Sequence, residues 1–309
     1  MAVDRHTYAS TDDLRDYLAG TTYSSGWTSD GSALRRVLEA SSRRIDAYCG
    51  GGTFGAKTAT RSFDIGDGVL KQSPQYKSVA GYASYDIVTN NAMAGVIPLD
   101  AWLLSATTVT SYKQTARTEN ETLAEGYDND YLLMPYNFSP KTVLKLNEDT
   151  SKGFYSGQQT LTILGSWGYT SDTEEITDLN GAVSSTSATT VAVTSATGLS
   201  PAETILVGSE QMYITGISSN NLTVERGVNG TTAATHSDED AVKSYIYPSE
   251  VVQACLDLSK VTFRNRDLGV TDTIGAGDAN VTRASEEAND ILATVDAYRA
   301  VGLSNAIIF

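Results

Sequence analysis

The chain has 309 residues, 40% hydrophobic and 19% charged, which excludes intrinsic disorder and leaves room for two separate cores. Its formal charge of −15 excludes a binder held on nucleic acid by clustered phosphate contacts. The same charge opposes attraction to an anionic membrane surface. The opening MAVDRHTYASTDD lacks the apolar core of a secretion signal, and no run of about 20 apolar residues could span a bilayer. Synthesis and assembly in a cytoplasm are therefore expected.

A short helix is expected over about Thr11 to Ala19, with Leu14, Tyr17 and Leu18 on one face. A Ser/Thr/Gly loop follows, then an amphipathic helix with Ser29 as N-cap that runs to Cys49 and stops at Gly50, Gly51 and Gly52. Leu34, Val37, Leu38, Ile45 and Tyr48 recur at helical spacing and predict its buried stripe. Arg35, Arg36, Arg43 and Arg44 mostly occupy the other side.

The pattern then turns to alternation. TRSFDI, GVLKQ and SYDIVT read as short strands, WLLSATTVTSYKQ as a further run, ETLAEGYDNDYLLMPYN as a polar segment, and KTVLKLN and QQTLTILGSWGY as strands. From about Ile176 to Tyr245 the pairs Val191/Val193, Ile205/Val207, Met212/Ile214 and Leu222/Val224 predict a small barrel or sandwich of about five strands, each with one buried and one wet face. A helix returns at Pro248, with Val251, Cys255, Leu258 and Val261 in its stripe, and a last one is expected over about Ser285 to Ala300. The helices 30–49 and 249–267 should pack together. Two cysteines make no disulfide framework, so Cys49 and Cys255 are expected as buried free thiols in or near that core.

No residue pattern points to catalysis, a cofactor or a metal. Gly50, Gly52 and Gly55 spell G-x-G-x-x-G, but a helix precedes them and strands follow, the reverse of a dinucleotide site. Gly275 and Gly277 lack a strand-to-helix unit. His6 falls in an N-terminal arm and His236 in an acidic turn, with Asp238, Glu239 and Asp240, that reads as hydrated. Asp64 with Asp67 and Asp128 with Asp130 lack the full spacing of a calcium loop.

Taken in order, ALRRVLEASSRRIDAYCGG before TRSFDI, then LLSATTVTSYK, YDNDYLLMPYN before KTVLKL, LTILGSWGY and PSEVVQACLDLSKVTFRNRDLG resemble the phage head–tail connector proteins of the head-completion adaptor family. The resemblance covers a little over half the chain, and its signal is the order of the pieces. It implies an α+β fold: a helical connector core with short antiparallel strands (residues 1–175 and 247–309) plus an inserted all-β barrel or sandwich module (176–246) of a type seen in phage structural proteins. It further implies a structural, non-enzymatic virion protein in the neck between capsid and tail. Such a chain forms a homo-oligomeric, dodecameric ring docked under the portal protein, links it to the stopper or tail, and lets DNA pass without sequence-specific binding. The candidate interface residues are Arg35, Arg36, Arg43 and Arg44, with the apolar tail residues Ile307, Ile308 and Phe309. The competing expectation is a surface module for carbohydrate or host-receptor recognition on a structural mount. Trp27, Trp102 and Trp167 lie outside the β-module, and Tyr213, the remaining substitute for a platform, is expected instead to pack at a strand surface.

Overall fold

The computed structural model describes residues 4–19, 31–65, 95–113, 119–268 and 279–299. They form two compact units, one from the described residues of Met1–Lys57 and Thr170–Arg299, the other from those of Thr58–Tyr169. The strands expected from GVLKQ and SYDIVT, the Ser29 cap, the Gly275/Gly277 loop and the tail residues Ile307, Ile308 and Phe309 lie outside the described residues.

Among the described residues the fold is mostly β, with two antiparallel sheets of six strands each and four α-helices. The expectation of an α+β chain built on a helical connector core is thereby corrected. Its error arose in residues 96–169, where β-branched and aromatic side chains extend strands well past the short runs expected. The run around WLLSATTVTSY becomes a strand of 17 residues, and the supposed polar segment supplies two strands of its own.

The second unit holds β1 (Lys57–Ile65), β2 (Val96–Tyr112), β3 (Asn120–Leu123), β4 (Tyr131–Met134), β5 (Lys141–Leu146) and β6 (Gly157–Trp167). Their order is β1-β6-β2-β5-β4, with β3 also on β2. Leu103, Val109, Leu144, Leu161, Ile163 and Trp167 are buried in one core. Trp167 satisfies its indole by donating to the Ala59 carbonyl at 3.0 Å. Gly165 lies opposite a bulge in β2, where a Cβ would stand 2.3 Å from the Ser105 carbonyl oxygen, so only glycine admits this pairing.

The first unit contains α1 (Thr11–Leu18), α2 (Gly31–Cys49), strands β7 (Thr173–Asp178), β8 (Thr190–Ala192), β9 (Thr204–Val207), β10 (Glu210–Ser218), β11 (Asn221–Glu225) and β12 (Ala241–Tyr245), then α3 (Ser249–Leu268) and α4 (Ala279–Ala293). The strand order is β7-β12-β9-β10-β11-β8, six strands where about five were expected. α4 starts earlier than expected and ends at Ala293, followed by a short 3-10 turn over Asp296–Tyr298.

Helices α2 and α3 pack as expected. Leu34, Leu38 and Ile45 from α2 meet Val251, Cys255 and Leu258 from α3 in a buried seam. Serines let the backbones approach: Ser259 donates to Ser41 at 2.9 Å, and Ser42 Oγ lies 3.5 Å from Cys255 Sγ. Both thiols are free and buried, and burial pushes them up, Cys255 to about 11 and Cys49 to about 12.

His6 to Ser10 are buried, and the segment from Asp4 to Thr11 ties the sheet to the helices. Toward the sheet, Arg5 N donates to Asn229 Oδ1 at 2.8 Å, Thr7 donates to the Ala202 carbonyl, and Thr11 N donates to the Pro201 carbonyl at 3.2 Å. Toward α2, Tyr8 N donates to Ser42 Oγ at 3.1 Å, and the Tyr8 hydroxyl donates to Asp46. That hydroxyl also accepts from Phe54 N at 3.0 Å. Ser10 and Asp13 then close a capping box on α1.

At the centre of this segment His6 Nε2 donates to the Ala56 carbonyl at 2.8 Å, while Nδ1 accepts from the Tyr247 hydroxyl at 2.9 Å. Gly55 lies flat against the ring, where a Cβ would sit 2.3 Å from His6 Nδ1. Gly55→Ala should therefore destabilise the first unit by about 1–3 kcal/mol through overpacking. A thermal melt matching that of the parent chain would contradict this.

Candidate functional site

The four arginines of α2 divide into two pairs. Arg43 turns inward: it pairs with Asp46 at 2.9 Å and Asp4 at 3.7 Å, and it donates to the His6 carbonyl at 2.5 Å. Arg35 donates to the Thr215 carbonyl at 3.0 Å. These two hold the first unit together internally. Arg36 and Arg44 are exposed, two helical turns apart with Ala40 between them. Arg5, Arg15, Arg61, Arg226, Arg264 and Arg299 all carry ion pairs. Among the arginines whose side chains are described, Arg36 and Arg44 are those with no ion pair or side-chain hydrogen bond.

Both histidine rings are buried. His6 is 1% exposed instead of standing in an arm, and burial holds its pKa at about 4, working against the Ala56 hydrogen bond. His236 is only 8% exposed, although Asp238 and Glu239 of the same turn are exposed as expected. Its Nε2 lies 2.8 Å from Glu210 Oε2, and Arg226 grips the same carboxylate through Nε and Nη2, each at 2.7 Å. Gly227 N at 3.0 Å and Ala234 N at 2.9 Å complete the shell around Glu210. These hydrogen bonds outweigh the cost of burial and pull the carboxylate down to about 2. The cluster fastens the 226–236 loop to the start of β10.

Glu210 was missed, although a signal existed. It shares an inward face of β10 with Met212 and Ile214, so a charge at that position announces a buried partner. The expected wet face of this strand is also absent. Gln211 donates to the Ala56 carbonyl at 2.8 Å, and Tyr213, 1% exposed, donates to Glu39 at 2.7 Å. Tyr213 is thus unavailable as a platform for sugar.

The acidic pairs also separate. Asp64 accepts from Gln159 N at 2.7 Å, and Asp67 lies outside the described residues. Asp130 is buried and partnered by Ala124 N, Thr150 and Lys152, whereas Asp128 is exposed. Among the described residues no cluster of three His, Cys, Asp or Glu side chains could hold a metal ion. No described helix is long and apolar enough to cross a membrane.

The most open chemistry lies at one end of the second unit's sheet. The turns 124–130, 135–140 and 147–152 surround a groove of about 720 Å³ whose lining includes Tyr127, Asp128, Tyr136, Lys145, Glu148 and Asp149. Tyr127 is 85% exposed, Phe138 72% and Tyr136 54%. Asn147 Nδ2 pins the first turn by donating to the Gly126, Tyr127 and Asn129 carbonyls. Lys141 pins the second through the Pro135 and Tyr136 carbonyls. The rings are therefore presented on braced turns, a low-entropy arrangement suited to docking a partner. From sequence, Tyr127 and Tyr136 fall in the polar segment and in the stretch YDNDYLLMPYN of the resemblance, with no docking role read from them, and Phe138 lies just beyond it.

Compared with protein-family models, curated proteins and solved structures, the chain matches none of them.

The buried cluster supplies a direct test. Glu210→Gln leaves Arg226 buried without its counter-charge and should cost about 3–5 kcal/mol, read by urea unfolding. Because Glu210 is held below the ordinary carboxylate value, its stabilisation is complete above that value and is lost as pH falls toward about 2. The gap between wild type and Glu210→Gln should therefore narrow as pH falls below about 4.5. A gap that stays constant would contradict the assignment.

Proposed function

We propose that the chain is a structural protein of a virion neck, a ring-forming adaptor that sits under a portal protein and leads onward to a stopper or tail. The ordered resemblance of its segments to head-completion adaptors supports this reading, now carried by a mostly β protomer. The observation that carries it furthest is the group of exposed rings Tyr127, Tyr136 and Phe138 on braced turns. Tyrosine is prominent among the residues that dominate protein–protein binding energy, and solvent exposure of three large rings together is costly without a partner. The charge of −15 fits a channel that repels passing DNA instead of gripping it. In this reading the ring is dodecameric, assembled in the host cytoplasm, and needs no cofactor.

The test is electron microscopy of the purified chain, alone and mixed with portal rings. The expected result is a closed ring that seats on the portal. A monomer that ignores portal at micromolar concentrations would reject the reading. Replacing Tyr127, Tyr136 and Phe138 together with serine should weaken assembly into portal-seated rings about tenfold or more while leaving the melting temperature unchanged.

A further inference from the structure

Resting on the adaptor reading, we infer that the exposed arginine pair of α2 docks into the tyrosine-rimmed acidic groove of a second copy of this chain. The inference starts from charge. A chain with net charge −15 repels its copies, so a ring of them needs a local positive surface that meets a local negative one. Arg36 and Arg44 supply the positive surface: they are exposed, two turns apart on α2, and share neither ion pair nor side-chain hydrogen bond among the described residues. Ala40 and Ala47, the exposed residues beside them, leave the guanidinium groups free to approach a wall. An unpaired Arg pair carries five donors per head and a planar face, both of which remain unused within the protomer.

The groove offers the matching chemistry. Asp128, Glu148 and Asp149 are exposed at its edge and form no ion pair among the described residues. Lys152 does not offset them, because Asp130 holds it at 2.8 Å and the Thr122 carbonyl accepts from it at the same distance. Lys145 remains as the opposing charge, so the open lining is acidic. Tyr127 and Tyr136 line the same groove, and a guanidinium can lie over such a ring while its edge meets a carboxylate. Carboxylates occur elsewhere on this surface. At this groove they coincide with a concavity and with exposed aromatic rings.

The contact is heterologous, one surface of each copy meeting a different surface of the next. Contacts of that class close into rings when the rotation per subunit permits. An isologous pairing of either surface with itself would set like charges together.

Charge reversal in the full-length chain tests it, read by mass photometry and by ring formation on portal. Arg36→Glu with Arg44→Glu should reduce self-association at least tenfold, and so should Asp128→Lys with Glu148→Lys and Asp149→Lys. The chain carrying all five changes should assemble to within about threefold of wild type, since the complementary pair is restored with its sign exchanged. Circular dichroism melts check that each variant folds. If either single-surface variant assembles like wild type, or if the combined variant folds but fails to recover, the contact is refuted. Rings that persist in the arginine variant but no longer seat on portal would assign Arg36 and Arg44 to the portal and refute it as well, while leaving the adaptor reading standing. A wild-type chain that stays monomeric even with portal present would remove the adaptor reading and this contact together.

Discussion

A neutral imidazole, His6, is buried at the centre of the first unit, where desolvation opposes its protonation. Its ring is 1% exposed, Nε2 donates to the Ala56 carbonyl, and in the neutral ring Nδ1 accepts from the Tyr247 hydroxyl. The charges of Arg43 and Lys57 add to burial in opposing protonation. Around this ring Tyr245, Tyr247 and the Gly55 backbone pack edge to face or flat, so the segment preceding α1 becomes a buried strap instead of a free end. That strap hydrogen-bonds to both the sheet β7–β12 and helix α2, adding to the direct bonds Arg35 to Thr215 and Tyr213 to Glu39.

This arrangement has a definite acid signature. Since the folded His6 value of about 4 lies below the ordinary 6.5, the unfolded chain takes up the proton first. Stability from this group is therefore complete above 6.5 and declines as pH falls toward about 4. Asp46 and Glu203 act in the opposite sense. Burial raises them to about 6 and about 8, so their ionisation opposes folding at higher pH. Bulk acid unfolding sums these effects, whereas a residue-resolved measurement separates them.

Much of the local architecture was legible. The α2 stripe, its stop at Gly50, the α3 stripe and the two buried thiols all follow from spacing within single helices, and the structure places Cys255 at the seam they share. Alternation located the cores of β9, β10 and β11 equally well. What failed was information carried by contacts between distant segments. Nothing local marks His6 as buried, because its partners stand at Ala56 and Tyr247. Likewise β10 alternates as though one face were wet, yet Ala56 and Glu39 cover that second face. The α2 arginines look alike in sequence, and only the positions of Asp4, Asp46 and Thr215 separate Arg35 and Arg43 from Arg36 and Arg44. The sheet in residues 96–169 was underestimated because short runs were read singly, while β2 gains length by pairing with β3, β5 and β6 at once.

The chain carries two histidines, so an NMR titration of their ring signals, assigned with a His6→Gln variant, addresses the buried strap directly. His6 should titrate near 4 in the folded protein, with its signal unchanged through neutral pH. A midpoint close to 6.5 while the protein remains folded would mean that the ring is in water, and that the segment from Asp4 to Thr11 does not hold the first unit together.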